Sequence, residues 1–319
     1  MGATSLVLPA FARADNPPPP ATNGPPPAPV AQPGAATLAV VGGMRLHGRA
    51  YVLAGQRVTL TGRVAPSVPG QILAVVISAP HRKPASARAQ VAGDGTFQVV
   101  FKARRPVTYS VRVVHGATPE QLAFSARAGV HAIDARGAGP GSHGVGIALL
   151  KQGMRALGFP AGSGPAWTDK LGREVLAFRK VNGMARVFAA DRRVFAMVFG
   201  GKGAFKLRHP HAGKHVEFDW SRQVLALADG SKVVAVYHAS SGKPSTPTVF
   251  GTYHFYLKAP GTNAKGMFMS NYFIRGYAVH GYSEVPTYAA SHGCIRVSNS
   301  DAVAIYRQID LGEPIFIYT

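Results

Sequence analysis

Residues 280–297 read HGYSEVPTYAASHGCIRV. They hold the only cysteine of the 319-residue chain, Cys294, with His292 two positions before it and His280 fourteen before it. A thiol becomes a useful nucleophile when a neighbouring imidazole takes its proton and a third group holds that imidazole in the right tautomer. Gly293 lets the backbone turn tightly ahead of Cys294, at the head of a short β-branched segment, CIRVS, where consecutive amides could face a developing oxyanion. His280 ends a second short strand, YAVH, and the intervening loop can fold it back onto the cysteine. Two other readings stay open at this level. One is a small buried cysteine beside a satisfied histidine. The other is a zinc site from His280, His292 and Cys294, which would need a fourth ligand and uses a His-x-Cys spacing uncommon in chelates.

Working outward, NSDAVAIYRQI (299–309) has helical spacing, with Ala302, Ile305, Tyr306 and Ile309 on one face and Asn299 or Ser300 as its cap. EPIFIYT (313–319) closes as a strand. Upstream, HVEFDWSRQVLALADG (215–230) and KVVAVYHASSG (232–242) form a hairpin of alternating residues, and FGTYHFYLK (250–258) is one further strand. The sum is a β-rich domain with one late helix.

With those elements in place, YAVHGY … ASHGCIRVSNSDAVAIY … GEPIFIY closely resembles the L,D-transpeptidase (YkuD-type) catalytic domain, whose motif is a histidine followed by [ST]-HGC-[IV]-[RN]. SSGKPSTPTVFGTYHFY (240–256) resembles the upstream S-x-G-x-x-x-x-TP-x-G-x-[FY] segment of the same family. The resemblance covers residues 211–319 and departs in the loop between His280 and Ser291, which is on the short side. It implies that Cys294 attacks a stem-peptide carbonyl and that His280 is the base, oriented by a backbone carbonyl near Gly281. It implies further that His292 and the amides at Gly293 and Cys294 support the site and the oxyanion, while Ser291 fixes the turn by hydrogen bonding. Arg296 would bind a substrate carboxylate or form a structural salt bridge. Tyr272 and Phe273 would line the cleft or pack in the core, and Thr246, Pro247 and Gly251 would shape a turn.

The implied function is that of an exported peptidoglycan L,D-transpeptidase, extracytoplasmic, secreted or wall-associated, with no metal or organic cofactor. It would act on peptidoglycan stem peptides and make 3→3 crosslinks. The rivals are an L,D-carboxypeptidase using the same thiol, a non-catalytic wall-binding protein, and a nucleic-acid binder driven by charge.

The rest of the chain reads as a multidomain, mainly β protein, long enough for two or three domains with a core each. A single cysteine excludes an intramolecular disulfide framework. No run of eighteen apolar residues appears, so no membrane-spanning helix is expected. ATSLVLPAFARA (3–14) is apolar and ends Ala12-Arg13-Ala14, as at a signal-peptidase site, though a basic stretch ahead of it is missing; residues 1–14 read as a signal-peptide remnant. The Pro-rich stretch 15–35 reads as a stiff spacer.

Residues 36–132 alternate with period two in RVTLTGRV, QILAVVISA, GTFQVVFKA and VTYSVRVVH, with turns at PSVPG and AGDG. They resemble an Ig-like β-sandwich. Residues 143–200 show two helices around GIALLKQGMRALGF and WTDKLGREVLAFRKVNGM, the second capped by Thr168 or Asp169. The pair resembles the small peptidoglycan-binding domain through Leu157-Gly158-Phe159, Thr168, Leu176, Phe178 and Gly183-Met184, with Arg179 where that family has Gln. Thirty-five basic residues stand against 14 acidic ones, and residues 241–319 account for only +2 of the net +21. The positive charge upstream suits anionic wall polymers. No nucleic-acid-binding motif accompanies it.

Overall fold

The structure, a computed structural model, describes residues 30–319. The stretch 1–14 and most of the spacer 15–35 lie outside the described residues. The end of that spacer is built into the first module: the Gln32 amide donates to the Glu120 carbonyl at 2.9 Å, and Ala35 opens the first strand.

Nine strands follow: β1 (Ala35–Val41), β2 (Met44–Leu46), β3 (Arg49–Leu53), β4 (Arg57–Ala65), β5 (Ile72–Ser78), β6 (Ala85–Gln90), β7 (Thr96–Lys102), β8 (Thr108–His115) and β9 (Phe124–Ile133). They form two sheets, β1-β4-β7 and β2-β3-β9-β8-β5-β6. The alternation in β4 turns Val58, Leu60 and Val64 inward, where they meet Leu73 and Val75 of β5 and Val111 and Val113 of β8 in one core. Period-two patterning of this kind forces a sandwich, because each sheet has one apolar face to cover.

The middle segment holds β10 (Gly137–Ala138), α1 (Val145–Ala156), α2 (Asp169–Val181), β11 (Ala190–Asp191) and α3 (Arg192–Phe199). Ile147, Leu150 and Met154 are buried along α1, as their spacing predicts, and the Thr168 hydroxyl caps α2 by accepting the Leu171 amide at 3.2 Å. A third helix, absent from the two-helix reading, follows Asp191, whose carboxylate accepts the Val194 amide at 3.0 Å; it buries Val194, Phe195, Val198 and Phe199. This segment has no core to itself. Its apolar side chains merge with Tyr51, Leu53 and Ile133 of the sandwich and with Val224, Ala226 and Val236 of the C-terminal domain. Three helices this short cannot bury enough apolar area among themselves.

The C-terminal domain contains β12 (Lys214–Asp219), β13 (Val224–Asp229), β14 (Lys232–His238), β15 (Gly251–His254), β16 (Leu257–Thr262), β17 (Phe268–Ile274), β18 (Tyr277–Tyr282), β19 (Ile295–Ser298), α4 (Asn299–Gln308) and β20 (Pro314–Tyr318). One sheet runs β14-β13-β12-β20-β15, the other β16-β17-β18-β19. The run VLALA in β13 is apolar on both faces because both are covered: Val224 and Ala226 face the helical segment, Leu225 and Leu227 the domain's own core.

FGTYHFYLK, read as one strand, is two. The Phe255 amide donates to Glu313 next to β20, whereas the Tyr256 amide donates to Tyr272 in β17, so the chain changes sheets between those residues. The α4 cap is Ser298, one residue earlier than expected: its hydroxyl accepts the Asp301 amide at 3.2 Å and donates to the Asp301 carboxylate at 2.6 Å. Among the described residues no helix is long and apolar enough to cross a membrane.

Candidate active site

β18 and β19 run parallel and adjacent, with Val279 opposite Ile295 and His280 opposite Arg296. Extending that register back one residue places Cys294 beside Ala278. Side chains two apart along a strand share a face, so His280 and Cys294 look out on the same side of the sheet. Tyr272 of β17, paired with Ala278, joins them there.

His280 is 3% exposed, and its Nδ1 lies 2.8 Å from the Gly281 carbonyl. A carbonyl only accepts, so Nδ1 carries the proton and Nε2 keeps its lone pair. Burial pulls this imidazole down to about 4; the Gly281 carbonyl opposes that, and the Arg296 charge adds to it. His280 is therefore neutral at neutral pH and able to take a proton. Burial pushes the Cys294 thiol up, against the Ala278 amide and the charges of Arg296 and Lys265. The resting pair is thiol and neutral imidazole. The Cys294 sulfur lies 3.6 Å from the Gly276 carbonyl.

The turn ahead of the cysteine is built around two glycines. Gly293 sits at φ +116, and a Cβ there would lie 2.1 Å from the Tyr277 ring. Gly242 packs against it so closely that its own Cβ would stand 2.8 Å from the Gly293 Cα. Only glycine fits either place. Ser291 ties the turn to itself, accepting the Gly293 amide at 3.0 Å and donating to the Cys294 carbonyl at 2.5 Å. The Gly293 amide is thus engaged, not free for an oxyanion, whereas the His292 and Cys294 amides have no acceptor among the described residues.

The segment 240–248 clamps this turn from the other side. Ser240 exchanges two backbone hydrogen bonds with Arg296, at 2.9 and 2.8 Å, and the Ser241 carbonyl accepts the Ala290 and Ser291 amides, both at 2.8 Å. Thr246 Oγ1 donates to the Ser291 carbonyl at 3.1 Å, as the turn-shaping reading anticipates. Thr248, which sequence reasoning passed over, donates to the Gly293 carbonyl at 2.7 Å and accepts the Gly242 amide at 2.9 Å. Its signal was the second threonine of TPT, one residue past the expected position. Pro247 is exposed, and Gly251 opens β15 at φ +133.

The other expected residues have different surroundings. His292 is exposed and makes no side-chain hydrogen bond among the described residues. Phe273 is a core residue, 3% exposed and packed on Phe255 and Tyr253, because it points to the opposite face of β17 from Tyr272. Arg296 forms no salt bridge among the described residues; its guanidinium lies 3.9 Å over the Tyr282 ring. It is left as a cation beside the thiol, with Lys265 as a second that the sequence did not mark. No group of three or more His, Cys, Asp or Glu side chains is placed to hold a metal ion among the described residues.

Comparison with known proteins agrees with this geometry. Residues 213–317 match the family model of the YkuD L,D-transpeptidase catalytic domain. The structure of an L,D-transpeptidase from Xylanimonas cellulosilytica is 29% identical, with 57% of this chain and 97% of that chain covered and a TM-score of 0.52. An L,D-transpeptidase from Stackebrandtia nassauensis is 19% identical over 57% of this chain and 95% of that one, at a TM-score of 0.37. The catalytic domain of the Enterococcus faecium L,D-transpeptidase is 23% identical over 34% of this chain and 98% of its own, at a TM-score of 0.30. No curated protein matches the chain. The sandwich and the helical segment lie outside the family match, and residues 213–317 are a YkuD-type L,D-transpeptidase catalytic domain.

Proposed function

We propose that the protein is an extracytoplasmic peptidoglycan L,D-transpeptidase that works through a thioester on Cys294. The observation that carries this reading is the His280 tautomer, with Nδ1–H held by the Gly281 carbonyl and Nε2 bare on the face that also presents the thiol. In the first half-reaction Nε2 takes the Sγ proton as sulfur attacks the acyl carbonyl of a tetrapeptide stem. The tetrahedral oxyanion is met by the Cys294 amide. Collapse breaks the peptide bond, and the imidazolium returns its proton to the leaving amine of the terminal D-residue. In the second half a side-chain amine of a neighbouring stem attacks the thioester and gives its proton to Nε2. A new amide forms, the 3→3 crosslink, and the thiol is regenerated. Arg296 and Lys265 supply positive charge for a stem carboxylate. The basic upstream modules suit retention on anionic wall polymers.

Intact-mass spectrometry after incubation with a carbapenem tests the thiol. One adduct on the parent chain and none on Cys294→Ala is the expected result, followed by dimer formation from tetrapeptide muropeptides. No adduct on the parent would sink the proposal. A shortened stem without dimer would make the enzyme a carboxypeptidase.

A further inference from the structure

Lys180 is the last lysine of α2, 3% exposed, and it reaches out of the helical segment into the catalytic domain. Its Nζ lies 3.0 Å from the Gln223 carbonyl, 3.0 Å from the Ala239 carbonyl and 2.7 Å from His238 Nδ1, three acceptors around one amine that burial, and then the Arg186 charge, pull down to about 6. His238 is itself buried and pulled by that burial to about 3, so it is neutral. With Nδ1 accepting from Lys180, its one proton sits on Nε2, which donates to the Val285 carbonyl at 3.0 Å. Five residues past the end of α2, Arg186 spans two further carbonyls, Thr287 at 2.7 Å and Ser221 at 3.0 Å.

Val285 and Thr287 belong to the loop 283–290, which connects the base strand β18 to the SHGC turn. Of its carbonyls, Tyr288 is held by Ser240 at 2.6 Å and Val285 by His238, both within the catalytic domain, His238 being in turn held by Lys180, and Thr287 is held directly from the helical side by Arg186. On the far side of the nucleophile the same helix grips α4: Arg173 and Lys170 reach the Asp301 carboxylate at 2.8 and 3.0 Å. Helix α2 therefore braces the chain both before and after Cys294.

We propose that Lys180 and Arg186 are positioning residues of the transpeptidase site, which fix the loop 283–290 as a wall of the cleft through His238–Val285 and Thr287. The helical segment is then a working part of the catalytic unit as well as a wall-directed module. This rests on the transpeptidase reading for its kinetic consequence but not for its structural one, and the two are separable by experiment.

Full-length parent, Arg186→Ala, Arg186→Lys, Lys180→Met and a control, Arg193→Ala, are compared by hydrogen exchange of residues 283–290 and by carbapenem acylation kinetics. Arg193 is exposed on α3 and makes no hydrogen bond through its side chain among the described residues. The proposal expects Arg186→Ala and Lys180→Met to lose protection in the loop and to acylate roughly 10- to 100-fold more slowly at saturating carbapenem. Arg186→Lys recovers part of both, and Arg193→Ala behaves as parent. Arg186 is exposed, so its variants test the brace even where Lys180→Met fails to fold. Parent-like protection in Arg186→Ala overturns the proposal, and so does a loosened loop with unchanged acylation. If the parent itself takes no adduct, the transpeptidase reading fails; the exchange data then decide the brace alone, with loss of protection supporting it and parent-like protection overturning it.

Discussion

At the residue, the chemistry turns on which way two protons lean. A thiol raised by burial and an imidazole lowered to about 4 do not form an ion pair at rest, so in the proposed mechanism proton transfer accompanies attack. His280 stays unprotonated down to its lowered value, and protonating it removes the proposed base. Acylation rates measured across pH should therefore hold steady through the neutral range and fall only near pH 4. An acid limb centred at the ordinary histidine value of about 6.5 would contradict the buried, carbonyl-held imidazole. The sequence made this pair legible because Cys294 is the only thiol and the glycine before it is diagnostic of a tight turn. It could not tell Tyr272 from Phe273. Adjacent strand residues face opposite ways, and which face is the cleft depends on the register of β17 against β18. His292 shows a related limit: motif proximity places a residue along the chain and leaves its side chain's direction open.

At the level of elements, the site is a junction between two hydrogen-bonded strips, 240–248 and 291–296, with Thr248 at its centre. Thr248 is 1% exposed and bonded on both sides. Thr248→Val keeps the shape and removes both bonds, leaving the Gly293 carbonyl and the Gly242 amide without their partner. We expect a cost of about 1–3 kcal/mol in stability by denaturant unfolding. Acylation should fall at least tenfold, because the turn that presents Cys294 loosens. Full acylation in the variant would mean that the turn holds without the clamp. Period-two alternation identified β4, β5, β7 and β8 from sequence. It passed over β6, whose ASARAQ is exposed at five of six positions and carries no apolar face to detect. It also missed α3, where eight residues are too few for helical spacing to stand out. The corner at Phe255–Tyr256 was invisible for another reason: both residues sit in extended chain, and only their partners differ.

Across the whole molecule, the modules are joined by shared burial. The helical segment shares its core with the sandwich and with the outer face of β13 and β14, and the Gly158 carbonyl of its LGF turn accepts the Val236 amide at 2.8 Å. Glu174 lies in that junction, 0% exposed, with neither carboxyl oxygen hydrogen-bonded among the described residues. Burial raises it well above the usual carboxylate range and the Asp301 charge adds to this, against Lys170 and Arg173. It is held neutral, and its cost follows from the sign of the shift. The folded state binds a proton that the unfolded chain releases above about pH 4.3, so the penalty grows as pH rises toward the folded value. Glu174→Leu should raise unfolding stability by about 1–3 kcal/mol at pH 7.5 and by less at pH 5. A less stable leucine variant at pH 7.5 would show that the carboxyl has a partner it needs.

Having one sulfhydryl in 319 residues also sets how the proposed enzyme would age in an oxidising environment. A peroxide that reaches Cys294 makes a sulfenic acid, and no second cysteine is present to capture it as an internal disulfide. Recovery then depends on a small-molecule or protein reductant from outside the chain, and without one the oxidation continues to the irreversible sulfinic and sulfonic acids. Partial burial of the thiol, with its proton retained at rest, slows that first encounter because the thiolate is the form oxidised. In the proposed mechanism, the same placement that delays reaction until substrate arrives therefore also protects the nucleophile between turnovers.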